Sequence, residues 1–366
     1  MRFCCRCLLC IACAILLFVI TLKISRTIFH GQHTFNETEA RLILSYLCDD
    51  YVQEIVSGDL CPRLCNAPYS NFTVIDFANE NKIVISLEFG GQKMVLKSEM
   101  DRFRAYDQLP SLRQISESEY IKHVVEFVNA QTGLSWQRPY TRHLIEILFP
   151  RYRRSESLDL RDRASLWTLL QQDEYLSYTL LAASRLFPPV MGSCGHFYGV
   201  RHVTPFASDS YFYGSLRSRV LFHVMATLKL LHNFVNEPLH WCDVKFEHLG
   251  LDSDAPKRFL ILDADLLFTE HRLANVFRTT NCKTDVDCRF FDCHSICNTN
   301  TSKCSPRRKN DNIEIFCQKL VRQLYGSFWT RNNRLLETCH NLHVWSPERR
   351  LKEMHSAWAF GGLKDI

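Results

Sequence analysis

Asp243, Lys245 and Glu247 are spaced two apart, directly after a long amphipathic stretch, and Asp263 closes an almost wholly apolar run, Phe259 to Leu262. A short turn, Asp252-Ser253-Asp254-Ala255-Pro256, lies between them. Two carboxylates, each at the mouth of a buried element and joined by a tight hairpin, suit a metal-nucleotide site. One orients and deprotonates an attacking hydroxyl, and the other holds a divalent cation on phosphate oxygens. The interval from Asp243 to Asp263 accommodates a loop, a short strand, a turn and a second strand. The rest of the chain then serves to position that pair.

Upstream, the pattern alternates from Asn71 to Lys97. Phe72 to Ile75, Lys82 to Phe89 and Lys93 to Lys97 read as three strands, with Gly90-Gly91-Gln92 as a turn and Lys97 ending the third. Helical periodicity then dominates from Ser116 to about Leu186. Ser116 to Glu119 has capping-box spacing, and Tyr120, Val124, Phe127 and Val128 follow before Gly133 ends the element. A second helix, Arg142 to Phe149, is closed by Pro150. A third begins near Asp159 and runs past Trp167, with Leu166, Leu169, Leu170, Leu176 and Leu180 as its apolar stripe. Glu174 borders that stripe, where an acidic group needs a partner. Pro188 to Gly192 and His196 to Val203 read as two strands with Cys194 in the turn. Ser215 to Phe234, with Leu216, Val220, Val224, Leu228 and Leu231 on one face, delivers the chain to Asp243. Ile313 to Leu351 is helical in character, with Phe328, Trp329 and Trp345 expected in the core.

Composition narrows the classes. A chain of 366 residues that is 46% hydrophobic folds as one large domain or two small ones. The net charge of +5 is modest. The basic clusters 151–154 and 307–309 are short and lack a nucleic-acid signature, so they read as solvated, with no nucleic-acid partner. Between Arg6 and Lys23 lie 16 uncharged residues, and the only Ala-x-Ala pattern near the N-terminus, Ala12-Cys13-Ala14, sits inside them. That favours an uncleaved signal anchor in the lipid bilayer over a cleaved peptide. Of 17 cysteines, five (Cys4, Cys5, Cys7, Cys10, Cys13) lie in or beside this segment and twelve follow it. Cys4, Cys5 and Cys7 are either S-acylated or simply small apolar residues at a membrane boundary. Cysteine density and three sequons, at Asn36, Asn71 and Asn300, place the bulk of the chain in an oxidising lumen, a type II topology. Cys61 and Cys65 read as disulfide cysteines rather than zinc ligands. Cys282, Cys288, Cys293, Cys297 and Cys304 cannot pair fully among themselves, so at least one reaches Cys317, Cys339 or Cys242. His294 among them is a weak hint of metal.

Three strands with a lysine, a helix with an inward glutamate, two strands, a long helix, an Asp loop and a strand ending in Asp follow the order of a protein kinase. Trp241 to His248 lies over the His-Arg-Asp-Leu-x-x-x-Asn loop, Asp263-Ala264-Asp265 over Asp-Phe-Gly, and Val95-Leu96-Lys97 over the nucleotide-lysine strand. Leu47-Cys48-Asp49-Asp50-Tyr51, Gly58-Asp59-Leu60-Cys61, Trp167 to Gln171 with Glu174-Tyr175, Gly192-Ser193-Cys194-Gly195 and Cys242-Asp243-Val244-Lys245 narrow this further. Together they resemble the divergent protein kinase domain 1 family, cysteine-rich type II membrane proteins of the endoplasmic reticulum.

The resemblance implies an α+β, bilobal protein-kinase-like fold. Its small lobe carries a helical, degenerate EF-hand-like insertion, its large lobe a cysteine-rich insertion, and one transmembrane helix precedes both. The expected boundaries are a cytosolic tail 1–6, the anchor 7–23, a lumenal stem 24–70, a small lobe 71–205 with the insertion at about 106–160, and a large lobe 206–366 with the cysteine-rich insertion 282–304. Lys97 would hold the α- and β-phosphates of ATP and pair with Glu174. Asp243 would orient the acceptor hydroxyl, Lys245 would sit near the γ-phosphate, and Asp263, with His248 and Asp265 beside it, would hold Mg²⁺ or Mn²⁺.

Phosphoryl transfer to lumenal protein or glycan hydroxyls is the activity this implies. A pseudokinase scaffold is the alternative, and nucleotidyl transfer a third. Several positions depart from the kinase pattern. No Gly-x-Gly-x-x-Gly precedes Lys97, and only Gly90-Gly91 is available. His248 replaces the metal-binding Asn, Asp265 replaces Gly, and Glu126 and Glu146 are rival helix glutamates. In the segment matching an EF-hand loop, Phe149 to Asp159, arginines stand where acidic oxygens and a central Gly belong, so calcium is not expected.

Overall fold

The computed structural model describes residues 36–66, 72–79, 81–100, 114–206, 214–234, 238–252, 259–325, 334–341 and 344–361. The expected anchor, the N-terminal cysteines, Asn71, Phe328 and Trp329 lie outside them. No helix among the described residues is long and apolar enough to cross a membrane.

Helix α1 (Glu37–Val52) is capped by Asn36, whose side chain accepts from the Glu39 amide, and it packs on β1. Strands β1 (Phe72–Asn79), β2 (Ile83–Phe89) and β3 (Gln92–Ser98) form an antiparallel meander. Gly90 and Gly91, both at positive φ, make the β2–β3 turn as expected. Successive strand side chains point to opposite faces. Ile83, Ile85, Leu87, Met94 and Leu96 therefore bury against Ala40, Ile43, Leu44 and Leu47. Val84, Ser86, Val95 and Lys97 face the opposite way, into a cleft. Strands β4 (Val190–Cys194) and β5 (Phe197–Arg201) complete a sheet of order β1-β2-β3-β5-β4. Cys194 ends β4 rather than lying in the turn, and its disulfide to Cys61 staples the N-terminal segment to the sheet. Gly58 makes that approach possible: at φ +152°, a Cβ there would stand 2.1 Å from the Ser193 carbonyl oxygen.

Between β3 and β4 the described residues include four helices of eight residues or more. α2 (Glu117–Thr132) is capped by Ser116, whose hydroxyl accepts from the Glu119 amide, and ends on left-handed Gly133. α3 (Thr141–Leu148) follows. The single helix expected from Asp159 is two, α4 (Leu160–Leu170) and α5 (Asp173–Leu180). Gln172 breaks it: its backbone is extended, its side-chain amide donates to the Thr168 and His196 carbonyls, and its side-chain oxygen accepts the Glu99 amide. Those long-range bonds override a continuous apolar stripe and re-aim α5. In the arginine-rich turn, Arg151 pairs with Asp162 at 3.1 Å and Arg154 with Asp59 at 2.8 Å.

In the helical half, α6 (Gly214–His232) buries Val220, Val224, Leu228 and Leu231, each contributing about 1.5–3 kcal/mol of transfer free energy. β6 (His240–Trp241) pairs with β9 (Leu267–Phe268), and β7 (Leu249–Leu251) with β8 (Phe259–Ile261). These short ladders bring the segments after Trp241 and after Ile261 together. α7 (Glu270–Thr279), the cysteine-rich segment, α8 (Asn312–Phe316), α9 (Arg334–His340) and α10 (Pro347–Gly361) follow. Trp345 is only half-buried, its ring lying 4.8 Å from the Arg349 guanidinium, so it is not the core residue expected.

All twelve cysteines from Cys48 onward form disulfides: Cys48–Cys65, Cys61–Cys194, Cys242–Cys293, Cys282–Cys297, Cys288–Cys304 and Cys317–Cys339. Cys293 is the one of the five that reaches outside its cluster. A five-stranded sheet and a helical half with short two-stranded ladders make a protein-kinase-like α+β arrangement.

Candidate functional site

Lys97, on the cleft face of β3 opposite Tyr198 of β5, is 7% exposed. Its ammonium donates to Glu174 Oε1 at 2.5 Å and to the Leu262 carbonyl at 2.6 Å. Glu174 lies in the first turn of α5, aimed there by the break at Gln172, and is 1% exposed. The rival glutamates stay at the surface, Glu126 beside Lys122 and Glu146 beside Arg142. Tyr178, one turn further along α5, donates its hydroxyl to the Leu262 carbonyl at 2.8 Å. The strand that delivers Asp263 is thus tied to the sheet and to α5 through one carbonyl.

Asp243 follows β6. Asn312 of α8 holds the backbone on either side of His240, donating to the Leu239 carbonyl at 2.6 Å and accepting the Trp241 amide at 3.2 Å. The Asp292 amide donates to the Cys242 carbonyl at 2.7 Å, and its carboxylate accepts the Val244 amide at 2.8 Å. With the Cys242–Cys293 disulfide, these bonds clamp the Asp243 loop to the cysteine-rich segment. Lys245 donates to Asp243 Oδ2 at 2.9 Å. His248 bridges the two acidic positions, its Nδ1 3.1 Å from the Asp243 carbonyl and its Nε2 3.8 Å from Asp263 Oδ2.

Lys97, Glu174, Asp243, Lys245, His248, Asp263 and Asp265 therefore meet at one cleft. Asp243, Lys245, Asp263 and Asp265 line a cavity of about 510 Å³ together with Lys82 and Phe291. A second, of about 290 Å³, lies under Val84, Val95 and Val200 and reaches Lys97, His248 and Asp263. It suits a flat apolar group, and the first suits phosphates and an acceptor.

The sequence reading missed Lys82. It sits in the β1–β2 turn, not the glycine-bearing β2–β3 turn, and its ammonium reaches Glu174 Oε2 at 2.6 Å, Asp265 Oδ2 at 3.0 Å and Asp263 Oδ1 at 3.2 Å. The turn nearest the acidic groups thus lacks glycine and carries a lysine. The signal for it was the turn's place in the strand order rather than any glycine.

Electrostatics follow from this geometry. Burial pushes the Glu174 carboxyl up, but the Lys97 and Lys82 ammonium groups overcome it and hold it at about 2. Burial opposes the charge on Lys82, yet the three carboxylates keep its ammonium well above the ordinary lysine value. Asp265 is pushed up to about 6, first by burial and then by the Glu174 charge. Its Oδ1 is buried without a hydrogen-bond partner.

One carboxylate oxygen from each of Glu174, Asp263 and Asp265 lies within 4.8 Å of the other two, a hard-donor set that fits Mg²⁺ or Mn²⁺. The Lys82 ammonium stands among the same oxygens. His248, a softer donor, lies within reach of Asp263 alone among the three. Cys282, Cys288 and Cys297 also cluster, but each is in a disulfide and none offers a thiolate.

Two family models match the chain. One described as "N-term cysteine-rich ER, FAM69" covers residues 4–130, and one described as "Protein-kinase domain of FAM69" covers residues 166–343. Among solved structures, that of vaccinia related kinase 3 aligns at 10% identity with a TM-score of 0.33, over 78% of this chain and 71% of that one. The two matched models follow one another in order and agree with the cysteine and kinase motifs: the chain belongs to FAM69, the family of cysteine-rich proteins of the endoplasmic reticulum with a protein-kinase domain.

Proposed function

We propose that this chain is an atypical secretory-pathway kinase that transfers the γ-phosphoryl group of ATP, with Mg²⁺ or Mn²⁺, to hydroxyls of lumenal proteins or glycans. The observation that carries the reading is the buried Lys97–Glu174 pair, at 2.5 Å, in the same cleft as Asp243 and Asp263. Lys97 orients the α- and β-phosphates. Asp243 accepts the proton of the acceptor hydroxyl as its oxygen bonds to phosphorus and the bond to the β-phosphate oxygen breaks. Lys245 neutralises charge on the transferred group. Asp263 and Asp265, with Glu174 behind them, would hold the divalent ion, which when bound neutralises phosphate charge. Most of the rate enhancement then comes from positioning and electrostatics.

One observation favours the pseudokinase alternative: a lysine, Lys82, already stands among the acidic oxygens. Labelled ATP separates the readings. Labelled phosphate appearing on a lumenal acceptor, and lost in Asp243→Asn, supports transfer. Nucleotide binding without any labelled product supports the scaffold, and an attached labelled nucleotide supports nucleotidyl transfer.

On this reading the kinase domain lies in the lumen of the endoplasmic reticulum behind a type II anchor at residues 7–23. The six disulfides favour that side of the membrane. Asn300, exposed at a hairpin tip, is the expected glycan acceptor there. A glycosidase-sensitive mass lost in Asn300→Gln checks the placement, and full accessibility of the domain to cytosolic protease would refute it.

A further inference from the structure

We propose that Lys82 is an exchangeable counter-ion: its ammonium takes the divalent-ion position when no metal is bound, and moves to the phosphates when a metal–nucleotide complex enters. The proposal rests in part on the nucleotide-binding reading above.

The Lys82 ammonium lies 2.6, 3.0 and 3.2 Å from one oxygen each of Glu174, Asp265 and Asp263. Those are hydrogen-bond and ion-pair distances, whereas a magnesium ion needs oxygen ligands at about 2.1 Å from the same three groups. Ammonium and divalent ion cannot share that volume. The charges agree. Three carboxylates within 4.8 Å of one another would by themselves draw a divalent cation, and Lys82 and Lys97 together reduce their net charge from −3 to −1. Coulomb attraction for a free ion falls accordingly.

Lys82 is also placed to leave. It sits at the turn of a hairpin and lines both cavities of the cleft, so its ammonium has phosphate space on either side. Lys97, by contrast, is locked between Glu174 and the Leu262 carbonyl. The partnerless Oδ1 of Asp265 is an acceptor that an arriving ion can take up as Lys82 departs.

The test is Mn²⁺ binding to the purified full-length chain without nucleotide, read from the electron paramagnetic resonance signal of free Mn²⁺. Lys82→Met is expected to bind Mn²⁺ about tenfold or more tightly than the wild type, because a repelling charge has left the site. Affinity for ATP in the presence of saturating Mn²⁺ is expected to move the opposite way, weakening by about tenfold as a phosphate-binding charge is lost. A purely structural lysine would not produce opposite signs. Lys82→Arg, which keeps the charge, is the folding control and is expected to exclude Mn²⁺ like the wild type.

Equal Mn²⁺ affinity in Lys82→Met and the wild type overturns the proposal, as does unchanged ATP affinity in the variant. The metal arm contains no nucleotide. Failure of the kinase reading, seen as no ATP binding to any form, is therefore distinguishable from failure of the counter-ion role, seen as no gain in Mn²⁺ binding.

Discussion

Replacing Lys97 by Met tests the electrostatic reasoning at its most buried point. In the wild type each oxygen of Glu174 faces one ammonium, Lys97 at 2.5 Å and Lys82 at 2.6 Å. Removing one partner of a buried ion pair costs about 3–5 kcal/mol when the remaining charge is left alone. Here Lys82 still compensates Glu174, and Tyr178 still donates to the Leu262 carbonyl that Lys97 would abandon. The expected loss is therefore smaller, about 2–3 kcal/mol. Removing Lys82 as well leaves a carboxylate 1% exposed with neither cation. The double variant is then expected to lose about 1–2 kcal/mol more than the sum of the singles. Urea denaturation of the four proteins under non-reducing conditions measures this. A Lys97→Met loss below about 1 kcal/mol, or additivity within about 0.5 kcal/mol, would refute the shared-carboxylate account.

Three further outcomes are expected. Replacing Cys242 and Cys293 by Ser opens a covalent loop of sequence separation 51 and should cost up to about 4 kcal/mol of stability, read by thermal unfolding; no change would mean the hydrogen bonds to Asp292 alone fix the Asp243 loop. Gly58→Ala places a Cβ against the Ser193 carbonyl at a backbone angle unsuited to side chains and should destabilise by about 2 kcal/mol or more, whereas Gly91→Ala in the open β2–β3 turn should cost less. The third concerns pH. Glu174 has a folded value of about 2, below the ordinary 4.5, so its contribution is fully present above pH 4.5 and is lost as pH falls toward 2. The stability gap between wild type and Glu174→Gln, about 3 kcal/mol near neutrality from that shift, should shrink progressively below pH 4.5; a pH-independent gap would contradict the assignment.

Much of this architecture was legible because the relevant signals are local. Lys97 ends a run of alternating apolar residues, and Asp243 and Asp263 each end a buried element, so strand order alone places them at one cleft. Glu174 was visible as a charge on an apolar border. What escaped was set by contacts distant in sequence. The apolar positions Leu166, Leu169, Leu170, Leu176 and Leu180 read as one helix, and only the bonds of Gln172 to Glu99 and His196 show why it breaks there. In the sequence Lys82 marks only the start of a strand. Its role depends on the β1–β2 turn overhanging three carboxylates drawn from elements as distant as residue 265. Cysteine arithmetic showed that one of five must leave its cluster, but the choice of Cys242 needs the Asp292 backbone bonds that hold Cys293 beside it.

Thermal unfolding of the purified full-length chain with ATP and Mn²⁺ tests the central claim most directly. Binding at a hundredfold excess over Kd should add about 2.7 kcal/mol, roughly 3–4 °C in Tm, with the shift abolished in Lys97→Met and Asp263→Asn and retained in Glu146→Gln. No shift with any nucleotide–metal pair, or an equal shift in Lys97→Met, would contradict a nucleotide site built on Lys97, Glu174 and Asp263.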